Sequence, residues 1–149
     1  MAYIETLPSL ICGLLLAIKD LRHFLVPRTW VAIGSMSQFA VFVLVAVIRC
    51  DPAEAFLPLC YAILTATVQF VLSRFRQETF GLGDVTASFM MAQAVGAFGL
   101  MAYLFWWLIM SGLGILWIAF WQVMHSVSKA TKAPFVPVIV ISAIIASLL

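Results

Sequence analysis

VTASFMMAQAVGAFGLMAYLFWWLIMSGLGILWIAFWQVM, residues 85–124, runs for 40 positions without an Asp, Glu, Lys or Arg. A membrane helix takes about 20 residues, so this run is too long for one and suits two. The spacing predicts a turn at Gly96–Ala102. A break at Gly112–Gly114 would leave the second helix too short to cross. Working outward, polar residues from Ser73 to Asp84 precede the run. Before them lie apolar segments at about Tyr3–Ile18, Trp30–Ile48 and Ala55–Leu72, and a last one follows at Phe135–Leu149. The expectation is an all-α polytopic membrane protein, a bundle of about six transmembrane helices, with residues 1–149 as one membrane-embedded domain. No internal repeat, low-complexity tract or linker interrupts it.

Composition points the same way. Of the 149 residues 65% are hydrophobic and 9% charged, and mean hydropathy is +1.16. Soluble domains are about 25% charged, so this chain has too little polar surface to cover a water-exposed core. The opening Met1-Ala2-Tyr3-Ile4-Glu5 is acidic and lacks the basic n-region of a secretory signal, so the first apolar segment reads as a span. Cys12, Cys50 and Cys60 form no CxxC pair, which excludes a zinc ribbon and gives no disulfide framework. Cys12 and Cys60 read as small apolar residues in helices.

Charge in the loops gives an orientation. Lys19, Arg22 and Arg28 fall in the first loop, Arg74 and Arg76 in the third, and Lys129 and Lys132 in the fifth. Only Arg49 lies in the second, beside Asp51 and Glu54. The positive-inside rule puts the odd loops in the cytoplasm and both termini outside.

The six acidic residues sort by position. Glu5, Asp51 and Glu54 lie on the outer side, where a solvated role is cheap, and Glu78 has an i, i+4 partner in Arg74. Asp20 ends the first span and Asp84 stands where the third loop meets the fourth span, both on the cytoplasmic side. Carboxylates at that depth are functional candidates, although capping of the following helix is a plain alternative for Asp84. Asp84 closes Gly81-Leu82-Gly83-Asp84-Val85. Two glycines allow a tight turn and close approach to another chain.

GLGDV at 81–85 resembles the GxGD motif of intramembrane aspartyl proteases, specifically the type IV prepilin peptidases. Asp20-Leu21-Arg22-His23-Phe24-Leu25-Val26-Pro27-Arg28 resembles the family's D-x-x-x-x-x-I-P-N segment after the first span. Pro134-Phe135-Val136-Pro137 is similar to its P-F-x-P element before the last. Arg28 replaces the usual Asn, and Thr86 the frequent Lys. No region with paired CxxC motifs corresponds to the methyltransferase of bifunctional members, so the resemblance implies a peptidase-only form. It implies Asp20 and Asp84 as catalytic residues, with Gly81, Gly83, Pro27, Pro134 and Pro137 in support. The implied reaction removes a short basic leader from prepilin or pseudopilin precursors at the cytoplasmic face of the cytoplasmic membrane.

Two carboxyls suit that chemistry. Close together they cannot both ionise easily and titrate as a pair. The ionised one takes a proton from water while the protonated one hydrogen-bonds the scissile carbonyl. No metal or other cofactor is needed, and the expected partners are the precursor's leader peptide and the lipid bilayer, not nucleic acid.

Other polar residues have plainer readings. His23 and His125 read as interface residues. Trp106, Trp107, Trp117 and Trp121 read as facing lipid or the interface, and the seven methionines as core packing. Gln38, Gln69 and Gln93 read as hydrogen-bonding between helices, with Gln69 and Gln93 also placed to line a wet cleft. The competing functions are a small ion- or proton-coupled transporter component, which predicts carboxylates near the midplane, and a non-catalytic membrane scaffold.

Overall fold

A computed structural model of the chain describes residues 2–75, 81–124 and 133–149. Among these residues all regular structure is helical. The elements are α1 (Ala2–Glu5), α2 (Leu7–His23), α3 (Arg28–Arg49), α4 (Ala53–Phe75), α5 (Leu82–Gly96), α6 (Leu100–Met124) and α7 (Val136–Leu148). The break in the long apolar run falls at residues 97–99, inside the expected turn. There Ala97, Phe98 and Gly99 donate their amides to Ala94, Val95 and Gly96, and Gly99 takes a left-handed φ of 93°. Arg76, Glu78, His125, Lys129 and Lys132 lie outside the described residues.

The first apolar segment is two helices rather than one. Thr6 interrupts it and donates its hydroxyl to the Tyr3 carbonyl, and Pro8 follows at the start of α2, where no intrahelical amide is needed. Gln38 of α3 spans the interruption: Nε2 donates to the Glu5 carbonyl at 2.6 Å, and Oε1 accepts the Ser9 amide at 3.1 Å. A buried glutamine thus joins helices, as expected of it. Beside it the Arg49 guanidinium reaches Glu5 at 2.6 Å and Glu54 at 2.8 Å, linking the end of α1 and the start of α4 to the end of α3. These pairs are partly exposed, and such pairs contribute about 0–1 kcal/mol each.

Three helices, α3, α4 and α6, are long and apolar enough to cross a membrane. Their outward faces carry Ile33, Leu44, Val47, Phe56, Ile63, Leu108 and Ile115, all more than half exposed. Apolar surface of this extent calls for lipid, and the chain is a membrane protein. The shorter α5 and α7 are the most enclosed. α5 packs against α2, α3, α4, α6 and α7, and every residue from Ala87 to Gly96 except Phe89 is buried. The core gathers around Leu16, Met90, Met91, Trp106, Ile139 and Val140.

Small residues permit this crowding. Gly13 faces the Met91 thioether, Gly34 faces the Met90 sulfur and Cys12, and Gly96 lies against the Pro58 backbone and Tyr61.

Two expectations are corrected. Trp106 is fully buried, not lipid-facing, because its Nε1 donates to the Ile139 carbonyl at 3.3 Å across α6 and α7. The methionines divide as well: Met90, Met91 and Met110 pack inside, whereas Met36, Met101 and Met124 are exposed.

A side chain at Gly96 would meet the Pro58 Cα at 3.0 Å, backbone that cannot step aside, while one at Gly112 meets nothing within 4 Å. Gly96→Val should therefore destabilise by about 1–3 kcal/mol. Gly112→Ala should be neutral or stabilising by up to about 1 kcal/mol. Thermal unfolding of the two variants in one detergent compares them directly.

Candidate functional site

One end of the bundle collects the connections between α1 and α2, α3 and α4, and α5 and α6. It holds Arg49, Glu5 and Glu54, with the Tyr3 ring 5.1 Å from that of Phe98. The opposite end holds both candidate carboxylates.

Asp20 sits in the last turn of α2 and is 5% exposed. A negative charge there opposes the dipole of its own helix. A second helix compensates: Oδ2 accepts the amide of Val136, the first residue of α7, at 3.1 Å. The carboxylate thereby occupies the positive end of α7 and takes up one of its orphan amides. The P-F-x-P element is the segment that brings this amide in. Pro134 is buried, and its carbonyl accepts Trp117 Nε1 at 2.8 Å. The Phe135 ring fills the space over Gly114, and Pro137 lies in the first turn of α7, where a missing amide costs nothing. Trp117 accordingly anchors the chain before α7 and does not face only lipid.

Asp84 is the third residue of α5. Its Oδ2 accepts the Gly81 amide at 3.1 Å, while its own amide donates to the Gly81 carbonyl at 3.0 Å. This reciprocal pair is a capping arrangement made from inside the helix rather than from the N-cap position. Both aspartates thus cap helices, and a capping role by itself excludes no chemistry.

Packing of α2 on α5 places the two carboxylates within electrostatic reach of each other. Contact between the following segments fixes the approach. A Cβ on Gly83 would stand 2.8 Å from the Cβ of Val26, so the chain between α2 and α3 lies directly on the GLGD turn. Close approach is therefore the reason for glycine at Gly83. Gly81 has an ordinary extended backbone, φ −81° and ψ 150°, and a Cβ there would make only an ordinary contact, with Asp84 Oδ2 at 3.6 Å. Pro27 caps α3 at φ −68°, and its carbonyl accepts the amides of Trp30 and Val31. Phe24 closes α2 in the left-handed region at φ 53°. That conformation costs a non-glycine residue about 1–2 kcal/mol, and the Phe24 ring is held edge-on to Trp121 at 6.1 Å.

All seven residues singled out from the sequence therefore lie at this end. Val26, Trp117 and the Val136 amide were not singled out. Val26 and Val136 carried a signal, since they stand in the Asp20–Pro27 and Pro134–Pro137 segments, and Trp117 carried none. His23 is exposed in the last turn of α2, and the described residues contain no cluster of His, Cys, Asp and Glu able to hold a metal ion. Comparison with known proteins found no matching family model, no matching curated protein and no matching solved structure.

The Val26–Gly83 contact has a direct test. Val26→Cys with Gly83→Cys, in a background lacking Cys12, Cys50 and Cys60, should form an intramolecular disulfide under mild oxidation. Only a small shift is needed to reach the Cβ separation of about 3.5–4.5 Å that a disulfide takes. Protection from thiol labelling reads the bond. Free thiols after oxidation would mean that the two segments do not meet.

Proposed function

We propose that the protein is a membrane aspartic endopeptidase of the prepilin peptidase kind, cutting the short basic leader from pilin-like precursors with Asp20 and Asp84. The observation that supports this best is that the two carboxylates lie at one end of the bundle within electrostatic reach of each other, with the P-F-x-P segment bonded to one and the GLGD turn to the other. Three segments that resemble the family's motifs, far apart in the chain, share one place.

In this reading one carboxylate is ionised and takes a proton from the attacking water. The other is protonated and donates to the scissile carbonyl, and the proton then passes to the leaving amine. Each capping bond uses Oδ2, so the second oxygen of each group serves water and substrate. The buried amide donor from Val136 holds the Asp20 carboxylate in one orientation. No metal and no covalent intermediate enters.

The topology proposed with this function has α2 to α7 as six crossings, both termini outside and the aspartates at the cytoplasmic face. At 1.5 Å per residue α5 and α7 are only about 20 Å long, less than the roughly 30 Å hydrocarbon core. Their enclosure by longer helices suits such lengths, because their ends then meet protein rather than lipid. The precursor's own apolar segment would stay in the bilayer against the exposed faces of the long helices. A transporter reading is less well supported: every described acidic side chain lies at a helix end or a connection, and none near the middle of the bundle.

Co-expression with a candidate prepilin tests the proposal, with cleavage read by gel shift and by sequencing the product's N-terminus. Asp20→Asn and Asp84→Asn should each lower cleavage by at least the roughly 10²–10⁴-fold associated with one general acid or base, while inserting normally. Efficient cleavage by either well-inserted variant would remove that aspartate from the catalytic role.

A further inference from the structure

Polar side chains follow one face of α4 at intervals of four: Tyr61, Thr65, Gln69 and Ser73. The last three are buried, at 0%, 3% and 9% exposure. This face turns toward α6. Thr65 and Tyr103 share a hydroxyl hydrogen bond at 2.8 Å, and Gln69 Nε2 has only the Met110 sulfur, at 4.0 Å. Gln69 Oε1 accepts nothing. On α5 the Ser88 hydroxyl, 0% exposed, is likewise without a partner.

The two orphan groups stand at matching height. Gly96 packs against Pro58 and Tyr61, which sets the antiparallel register of α5 on α4. Eight residues back along α5 from Gly96 to Ser88 is about 12 Å, and from the Pro58–Tyr61 pair along α4 to Gln69 is about 12–16 Å. The Gln69 side chain leans toward the start of α4, which narrows the difference further.

A buried amide oxygen without a donor costs about 1–3 kcal/mol, and a buried hydroxyl a similar amount. Buried polar groups left unpaired by protein are commonly bridged by internal water, which makes two to four hydrogen bonds. We propose that Gln69 and Ser88 hold an internal water between α4, α5 and α6. Water donates to Gln69 Oε1 and accepts from, or donates to, the Ser88 hydroxyl, which no apolar guest can do. Ser88 lies one helical turn from Asp84 on the same face of α5, so the site extends hydration inward from the carboxylate end. It does not depend on the protease reading.

Radiolytic hydroxyl-radical labelling tests this, because radicals formed from internal water oxidise the side chains beside it. Met110 is 4% exposed and Met90 and Met91 are 0% exposed, so bulk solvent distinguishes them little. Met90 and Met91 face Gly34, Cys12, Gly13 and Val140 rather than the Gln69 amide. In the unmodified, folded protein Met110 should be oxidised at least several-fold faster than Met90 and Met91. In Gln69→Leu or Ser88→Ala that excess should fall toward the rate of the other two. Equal slow oxidation of the three methionines in the unmodified protein would overturn the proposal. So would an excess at Met110 that survives both substitutions in folded variants, since the radicals would then come from elsewhere.

Discussion

The amide of Val136 donating to the buried Asp20 carboxylate is the contact on which the arrangement of this bundle turns. Without it a negative charge would stand at the wrong end of its own helix, enclosed and uncompensated, and the first amide of α7 would be unpaired. The bond settles both and determines what must surround it. Pro134 and Phe135 have to bring α7 in at this height, Trp117 and Gly114 of α6 have to receive them, and α2 has to lie against α7 along its length.

Around that contact the bundle has two kinds of helix. α3, α4 and α6 are long and largely exposed, while α5 and α7 are short and enclosed. The division explains how a carboxylate from α5 can come within electrostatic reach of one from α2. A short helix surrounded by protein can begin inside the bundle, and the first turn of α5 then lies against Val26 in the chain that follows Asp20. Glycine at Gly83 lets the two segments touch.

Several parts of this were legible in the sequence, for physical reasons. The charge-free stretch from Val85 to Met124 had to turn once, and the length a second crossing needs placed the turn at Gly96–Ala102 rather than at Gly112–Gly114. Asp20 and Asp84 stood out because a carboxylate beside a long apolar run needs a partner or water. Trp106 and the methionines were misjudged because a membrane helix is apolar on its lipid side and on its packed side alike, so hydropathy cannot separate the two. The partner that buries Trp106 is the Ile139 carbonyl, a backbone atom on another helix that no side-chain pattern announces. Thr6 was invisible because a single threonine does not by itself mark a helix break. The capping roles of the aspartates were half visible: Asp84 was expected as an N-cap and caps from the third position, and the helix that Asp20 caps begins 116 residues later.

The central claim is that Asp20 and Asp84 form one coupled pair. The chain has three aspartates, so ¹³C-aspartate labelling in an Asp51→Asn background leaves these two as the only labelled carboxyl groups. Infrared titration of their carboxyl bands, with and without Asp84→Asn, measures the coupling directly. The account predicts two-step titration of the pair and a clear change in the Asp20 titration once Asp84 is replaced. An Asp20 curve that is the same in both proteins would contradict it.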